Sequence, residues 1–305
     1  MFLKSSRKLI GLVLMSCVSF SLQAKQEPQF PTAHLAHPKA VIESWSLSGI
    51  ADAETGESYG YFFIITKQQE KLWIDTEIID LKTNEVLLAR SSTGKITQQE
   101  NRLNWKVESA FFNYNPVNES WVFGVLDKNK QGFNFRVDGL KPYSKETDAI
   151  KGKQGSQFYF HQSARMNGNF SLAKGEHFVT AKNAWIQHQW FDKKIDEVDS
   201  KQLLCRFKDD SGFYAVQYLR NNAVLLSVAD WLMNDGSQLP VSQFGQIKSQ
   251  GKNAWAINLS LPNLLLQFSS TKPLTYSVDQ RVMNISAGSV KQKPQGFCLL
   301  TSLSK

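Results

Sequence analysis

Cysteine is scarce in this chain of 305 residues, with three in all, and no Cys or His pair shows a recognised zinc-ligand spacing. His34 and His37 lie three apart, but between Pro31 and Pro38 in an N-terminal segment, so no metal is expected there. Long apolar runs are equally rare. After the first two dozen residues nothing approaches the ~18 consecutive apolar residues of a transmembrane helix. Lysine and arginine exceed the acids, giving a net charge of +8, yet they form no cluster. That surplus suits solubility and a weak attraction to anionic surfaces, and it excludes a nucleic-acid groove. The chain has no G-x-S-x-G elbow, no G-x-G-x-x-G, no P-loop and no H-E-x-x-H, so no cofactor is implied. Sustained helical periodicity is missing too; VADWLMND (228–235) reads as one short helix at most.

What is present is a globular composition, 42% hydrophobic and 20% charged, with a high aromatic share of 12%. The length accommodates two domains, each with its own core. Residues 1–24 read as an export leader. Lys4, Arg7 and Lys8 form a basic head, Leu9–Met15 an apolar run, and Leu22-Gln23-Ala24 a cleavage site. A second reading takes Leu14-Met15-Ser16-Cys17 as a lipobox, with Cys17 lipid-anchored in the envelope. Removing the leader takes three basic residues and no acid, so the +8 charge falls to +5. The protein is expected to be secreted or periplasmic. Cys205 and Cys298 then remain, either as a disulfide, which an oxidising compartment permits, or as two buried thiols.

Period-two alternation recurs along the chain. GFNFRVD (132–138) puts Phe133, Phe135 and Val137 on one face and Asn134, Arg136 and Asp138 on the other. Segments such as LNWKVESAFF, SWVFGVL, FYAVQYL and AWAINLSL share this pattern and are rich in aromatic and β-branched residues. Turn signals separate them, among them Thr55-Gly56, Asn167-Gly168 and Asp210-Ser-Gly212. More than a dozen candidate strands exceed one eight-stranded barrel and fit two. The charged, apolar-poor stretch FDKKIDEVDSKQ (191–202) is the natural joint, dividing the chain into 25–193 and 194–305. In the second half, Cys205 lies in an early strand and Cys298 in the last, which a closed barrel makes neighbours.

Three stretches together resemble a family. ESWSLSGIADAETGESYGYFFIIT (43–66), WIDTEIIDL (73–81) and FYFHQSARMNGNFSLAKGEHFVTAKNAWIQHQW (158–190) are similar in order and spacing to AttH and carotenoid hydratase (hydroxyneurosporene synthase). LLCRFKDDSGFYAVQYLRNN (203–222) extends the likeness. The resemblance implies an all-β protein of two lipocalin-like antiparallel β-barrels in tandem, in agreement with the strand count. Fold does not fix reaction, and the family spans a hydratase, hydrolase-like proteins and others.

The family's run Trp-Met-Asp-His-Glu-Trp matches Trp185, Ile186, Gln187, His188, Gln189 and Trp190, so both of its acids are amides here. Glutamine keeps hydrogen-bonding geometry but exchanges no proton near neutral pH, and alkene hydration needs an acid. A Tyr-x-acid pair of the hydratases falls at Tyr218-Leu219-Arg220, with arginine in the acid's place. The resemblance therefore argues against hydratase activity.

On a strand, Ile186, His188 and Trp190 share one face and Trp185, Gln187 and Gln189 the other. Three roles are open for His188: a packed, hydrogen-bonded imidazole at the domain joint, a ligand contact, or a proton donor. Packing accounts for it without chemistry. Glu43 is the surviving carboxylate of a matched motif, beside Trp45, with Arg165 its expected partner. The candidate ligand-binding set is thus Glu43, Trp45, Tyr159, Arg165, Trp185, Gln187, His188, Trp190 and Tyr218, with His188 and Glu43 as candidate acids. The expected function is binding of an apolar or amphipathic small molecule in a barrel or in the cleft between domains. The alternatives are a hydratase-, isomerase- or hydrolase-type enzyme and an envelope accessory protein working with a membrane transport complex. Oligomeric state is left open.

Overall fold

A computed structural model of the protein describes residues 32–96, 103–139, 156–172, 175–191 and 198–304, the last span with short gaps at 236, 242–243, 252, 261–262, 271, 279 and 293–294. The expected leader, Cys17 and half of the expected joint, including the boundary at 193/194, lie outside the described residues. Apart from a single 3-10 turn at Thr32–His34, every regular element among the described residues is a strand. No described helix is long and apolar enough to cross a membrane.

The first sheet contains β1 (Ile42–Ala53), β2 (Ser58–Gln68), β3 (Lys71–Asp80), β4 (Val86–Lys95), β5 (Asn104–Val107), β6 (Ala110–Asn115), β7 (Ser120–Leu126), β8 (Gly132–Gly139), β9 (Ser156–Leu172) and β10 (Gly175–Phe191). Its spatial order is β4-β3-β2-β1-β10-β9-β8-β7-β6-β5, antiparallel throughout. The two ends approach one another where Gly94 of β4 meets Val107 of β5, so the sheet curls into a nearly closed barrel. The second sheet contains β11 (Asp199–Phe207), β12 (Gly212–Arg220), β13 (Ala223–Leu232), β14 (Gln238–Pro240), β15 (Lys248–Ser249), β16 (Ala254–Ser260), β17 (Asn263–Ser270), β18 (Leu274–Val278), β19 (Arg281–Val290) and β20 (Gly296–Ser304). It runs β14-β13-β12-β11-β20-β19-β17-β16-β15, with β18 also on β19. The protein is a tandem of lipocalin-like antiparallel barrels.

The alternation of the sequence is what closes the first barrel. Trp45, Phe63, Phe112, Trp121, Phe123, Phe133 and Phe135 all point inward and are buried. Burying 150–250 Å² per large ring at about 25 cal/mol per Å² stabilises by roughly 4–6 kcal/mol each, as an upper figure. The barrel interior is thus a packed aromatic core. Cys205 and Cys298 stand directly opposite one another on β11 and β20, with Cα atoms 4.1 Å apart, and form a disulfide. Closing 93 residues of chain stabilises by about 4–5 kcal/mol on the loop-entropy account.

The helix expected at 228–235 is instead the second half of β13 and the turn after it. Alternate residues Ala229 and Trp231 enter the second core, and Leu232 packs on the other side of the sheet. Pairing to β12 and β14 supplies the backbone partners, so tertiary context overrides local propensity.

Where the barrels meet, alternation gives way to continuous burial. Residues 184–191 of β10 are buried on both faces, one against the first core and one against the second barrel. In FFII (62–65), Phe63 and Ile65 enter the first core while Phe62 and Ile64 meet Ile285, Phe297 and Leu299 of the second sheet. Gly60 permits this contact, because a Cβ there would lie 2.2 Å from the Phe297 ring.

Candidate functional site: a buried carboxylate with two histidines, and the seam between the barrels

β1 and β10 are neighbours, with Trp45 opposite His188 and Glu43 opposite Trp190. Alternation sends Glu43, Trp45 and His188 into the first barrel, where the chain before β1 returns over them as a strap, residues 32–40. Glu43 and His188 are fully buried. Oε1 of Glu43 lies 2.9 Å from His188 Nε2 and 2.7 Å from His37 Nδ1. The backbone N–H of His37 donates to both carboxylate oxygens, at 2.9 and 3.1 Å. Buried Lys67 places its Nζ 3.8 Å from Oε2. Burial works to raise the pKa of Glu43, but hydrogen bonds from His188 and His37, with their charge interactions, outweigh it and hold the carboxyl below its ordinary value.

The tautomer of His188 follows from its other nitrogen. Nδ1–H donates to the Ala33 carbonyl at 3.0 Å, so the Nε2 contact to Oε1 requires a further proton between them. Burial pulls the His188 pKa down, opposed by its hydrogen bond and charge interaction with Glu43, so the two groups titrate as a coupled pair. The rings around them are fixed: Trp45 stacks on His188 at 4.5 Å and Trp190 on His37 at 3.9 Å. The Trp45 indole N–H donates to the His34 carbonyl at 3.0 Å, and the Tyr159 hydroxyl hydrogen-bonds to His34 Nδ1. Burial, with the nearby His188 and His161, pushes His34 down to about 2, so it is neutral.

The structure thus brings together Glu43, Trp45, Tyr159, His188 and Trp190 from the candidate set, and it corrects two expectations. His188 faces the barrel interior, away from the domain joint, because the inward face of β10 carries Ile186, His188 and Trp190. Arg165 is exposed and opposite Asp138 on β8; the partners of Glu43 are His37, His188 and Lys67. Sequence spacing offered no metal-ligand set, whereas in the fold donor atoms of His37, Glu43 and His188 all lie within 4.8 Å of one another. The signal for His37 was present, a histidine six residues before Glu43, but it carries meaning only once the strap folds back.

The outward face of β10 carries the other half of the candidate set. Trp185, Gln187 and Gln189 face the second barrel. Gln187 donates to Gln202 of β11, Gln202 donates to Gln189, and Gln189 donates to the Tyr218 hydroxyl at 3.3 Å. Gln202 was not foreseen. Serines at every second position of β1, Ser44, Ser46 and Ser48, face the same seam, where small side chains let the barrels approach. A pocket of about 30 Å³ lies among Ser44, Ser46, Thr66, Gln187, Gln189 and Gln202, walled by Ile42, Ile64, Phe191 and Leu303. Ser46 Oγ is buried there without a hydrogen-bond partner among the described residues. At one end, Trp185 donates to the Cys205 carbonyl at 3.2 Å and carries the buried Arg206 guanidinium over its ring at 4.4 Å. A second pocket, about 120 Å³, adjoins Arg206, Lys182, Lys208 and Asp52.

Fold and site together define a two-barrel, lipocalin-like protein with the AttH-like architecture. No family model matches the sequence, and no curated protein matches it. Among solved structures, a protein assigned as AttH from Nitrosomonas europaea superposes with a TM-score of 0.65 at 14% identity, over 90% of this chain and 96% of the other. Kievitone hydratase from Nectria haematococca superposes with a TM-score of 0.62 at 15% identity, over 88% and 91%. At such identities the likeness is one of fold.

Proposed function

We propose that this is an exported small-molecule-binding protein that takes an apolar or amphipathic ligand between its barrels and anchors it on the polar strip of the seam. The observation that carries this reading is the character of the strip. Three glutamines hydrogen-bonded in series end on Tyr218 inside apolar walls, with an unpartnered serine hydroxyl beside them. Such a site offers donors and acceptors to an uncharged polar head and contains no group that exchanges a proton near neutral pH. A volume of about 30 Å³ holds only water, so the ligand enters as the barrels part. The Cys205–Cys298 bond and the leader-like N-terminus support an oxidising compartment outside the cytoplasm.

A second reading is an acid–base enzyme of the hydratase or isomerase type, favoured by the coupled pair of Glu43 and His188 and by the hydratase among the fold neighbours. One experiment separates the two. Protein purified from its own source is analysed by native mass spectrometry and lipid extraction. A bound apolar compound, lost in the Gln189→Leu, Gln202→Leu double variant, supports the binder. Turnover of that compound, abolished by Glu43→Gln while binding persists, supports the enzyme. An empty seam together with a stable protein partner would overturn both in favour of an envelope accessory role.

A further inference from the structure

We propose that His37, Glu43 and His188 bind one divalent transition-metal ion of the zinc type, held in the first barrel beneath the 32–40 strap. Two imidazoles and a carboxylate are an established zinc donor set, and three protein ligands leave a position for water. The atoms are already gathered. His188 Nε2 and His37 Nδ1 both point at Glu43 Oε1, at 2.9 and 2.7 Å, and no pair in the group exceeds 4.8 Å. Bonds of 2.0–2.2 Å in a tetrahedron set donor atoms about 3.4 Å apart, a value that the present spacings straddle.

The surroundings are those of a ligand set. Metal-bound imidazoles characteristically give their second nitrogen to a carbonyl or carboxylate, which fixes the tautomer and aims the lone pair. The Ala33 carbonyl does this for His188, accepting from Nδ1–H at 3.0 Å and leaving Nε2 directed at the carboxylate. Trp45 and Trp190 stack on the two imidazoles and hold their planes. A proton satisfies one of these contacts at a time, whereas a divalent ion satisfies all three donors. His37 is 28% exposed, which gives an ion a way in past the strap. Lys67 opposes the site, since its ammonium lies 3.8 Å from the second carboxylate oxygen and repels a second cation. The site is on the inner face of β10, opposite the seam, so it stands or falls independently of the ligand reading above.

The test is metal binding by the full chain, stripped with a chelator and then titrated with Zn²⁺ against a chromophoric competitor, and with Co²⁺ by visible absorption. The expected result is one equivalent per chain and intense Co²⁺ bands of a tetrahedral site. His37→Ala should weaken binding by about 100-fold or more, beyond the 10–100-fold typical of losing an outer-shell partner. His177→Ala, outside the cluster, should leave the affinity unchanged. Lys67→Met should raise it several-fold, a response that a chance surface site would not give. Should His37→Ala fail to fold, the Lys67→Met response and the wild-type Co²⁺ spectrum decide the matter. No stoichiometric uptake, or equal affinity in wild type and a folded His37→Ala, overturns the proposal.

Discussion

Replacing Glu43 tests whether the buried carboxylate holds the strap to the barrel. The side chain is fully buried and accepts from the His37 backbone N–H, from His37 Nδ1 and from His188 Nε2, with buried Lys67 beside it. Glu43→Ala strands the buried Lys67 ammonium and leaves the His37 N–H without its acceptor. Breaking a buried pair by removing one partner costs about 3–5 kcal/mol, so about 4 kcal/mol is expected. Glu43→Gln keeps the shape, an acceptor oxygen for His37 and an N–H for His188 Nε2. It loses only the charge opposite Lys67 and the charge assistance of the hydrogen bonds, about 1–2 kcal/mol. For a domain of this size each kcal/mol moves the melting midpoint by about 2–4 °C. The alanine variant should therefore melt roughly 8–16 °C lower in the first-barrel transition, followed by tryptophan fluorescence. Hydrogen exchange should show residues 32–40 losing protection in the alanine variant and keeping most of it in the glutamine variant. If the two variants melt within a degree of each other with the strap protected in both, the carboxylate does not hold the strap and the argument fails.

Two further outcomes follow from the same physics. His161 is buried and pushed down to about 4; it stays neutral in the fold while the unfolded chain takes up its proton near the ordinary value of 6.5. Its effect is nil above that value and destabilises progressively as pH falls to about 4, by about 3 kcal/mol in all. The urea midpoint of wild type should accordingly fall relative to that of His161→Leu on acidification, and parallel curves from pH 7 to 4 would contradict this. At the seam, Gly60→Ala drives a Cβ into the Phe297 ring and should cost about 1–3 kcal/mol by overpacking. Phe297→Leu in the same chain should restore part of that loss, and an additive double variant would show that the two positions do not press on one another.

Much of the fold was legible because alternation is a property of neighbouring residues. The inward Phe133, Phe135 and Val137 of β8 could be assigned from GFNFRVD alone, and the division of 185–190 into two faces was correct residue by residue. That division could not say which face met which barrel. Read alone, His188 looked like a residue of the joint, and only the pairing of β10 with β1 turned it inward toward Glu43. The segment 228–235 misled for a related reason: residues 229–232 of β13 are buried on both faces, so they lack the polar alternation that marks a strand with one wet side. His37 and Lys67 were missed because their meaning depends on a strap and a neighbouring strand that return to Glu43.

The sequence by itself determined an all-β chain with too many strands for one barrel, amides in place of two acids on β10, and two cysteines suited to an oxidising compartment. These are set by residue chemistry and by a period-two geometry that needs no distant contact. The tertiary structure alone decided that Cys205 and Cys298 bond, that Glu43 meets His37 and His188, and that three glutamines and a tyrosine line the seam. Glu43 and His188 are 145 residues apart, and no local pattern links them. Strand order brings them together, because β1 and β10 pair directly in the middle of the first sheet.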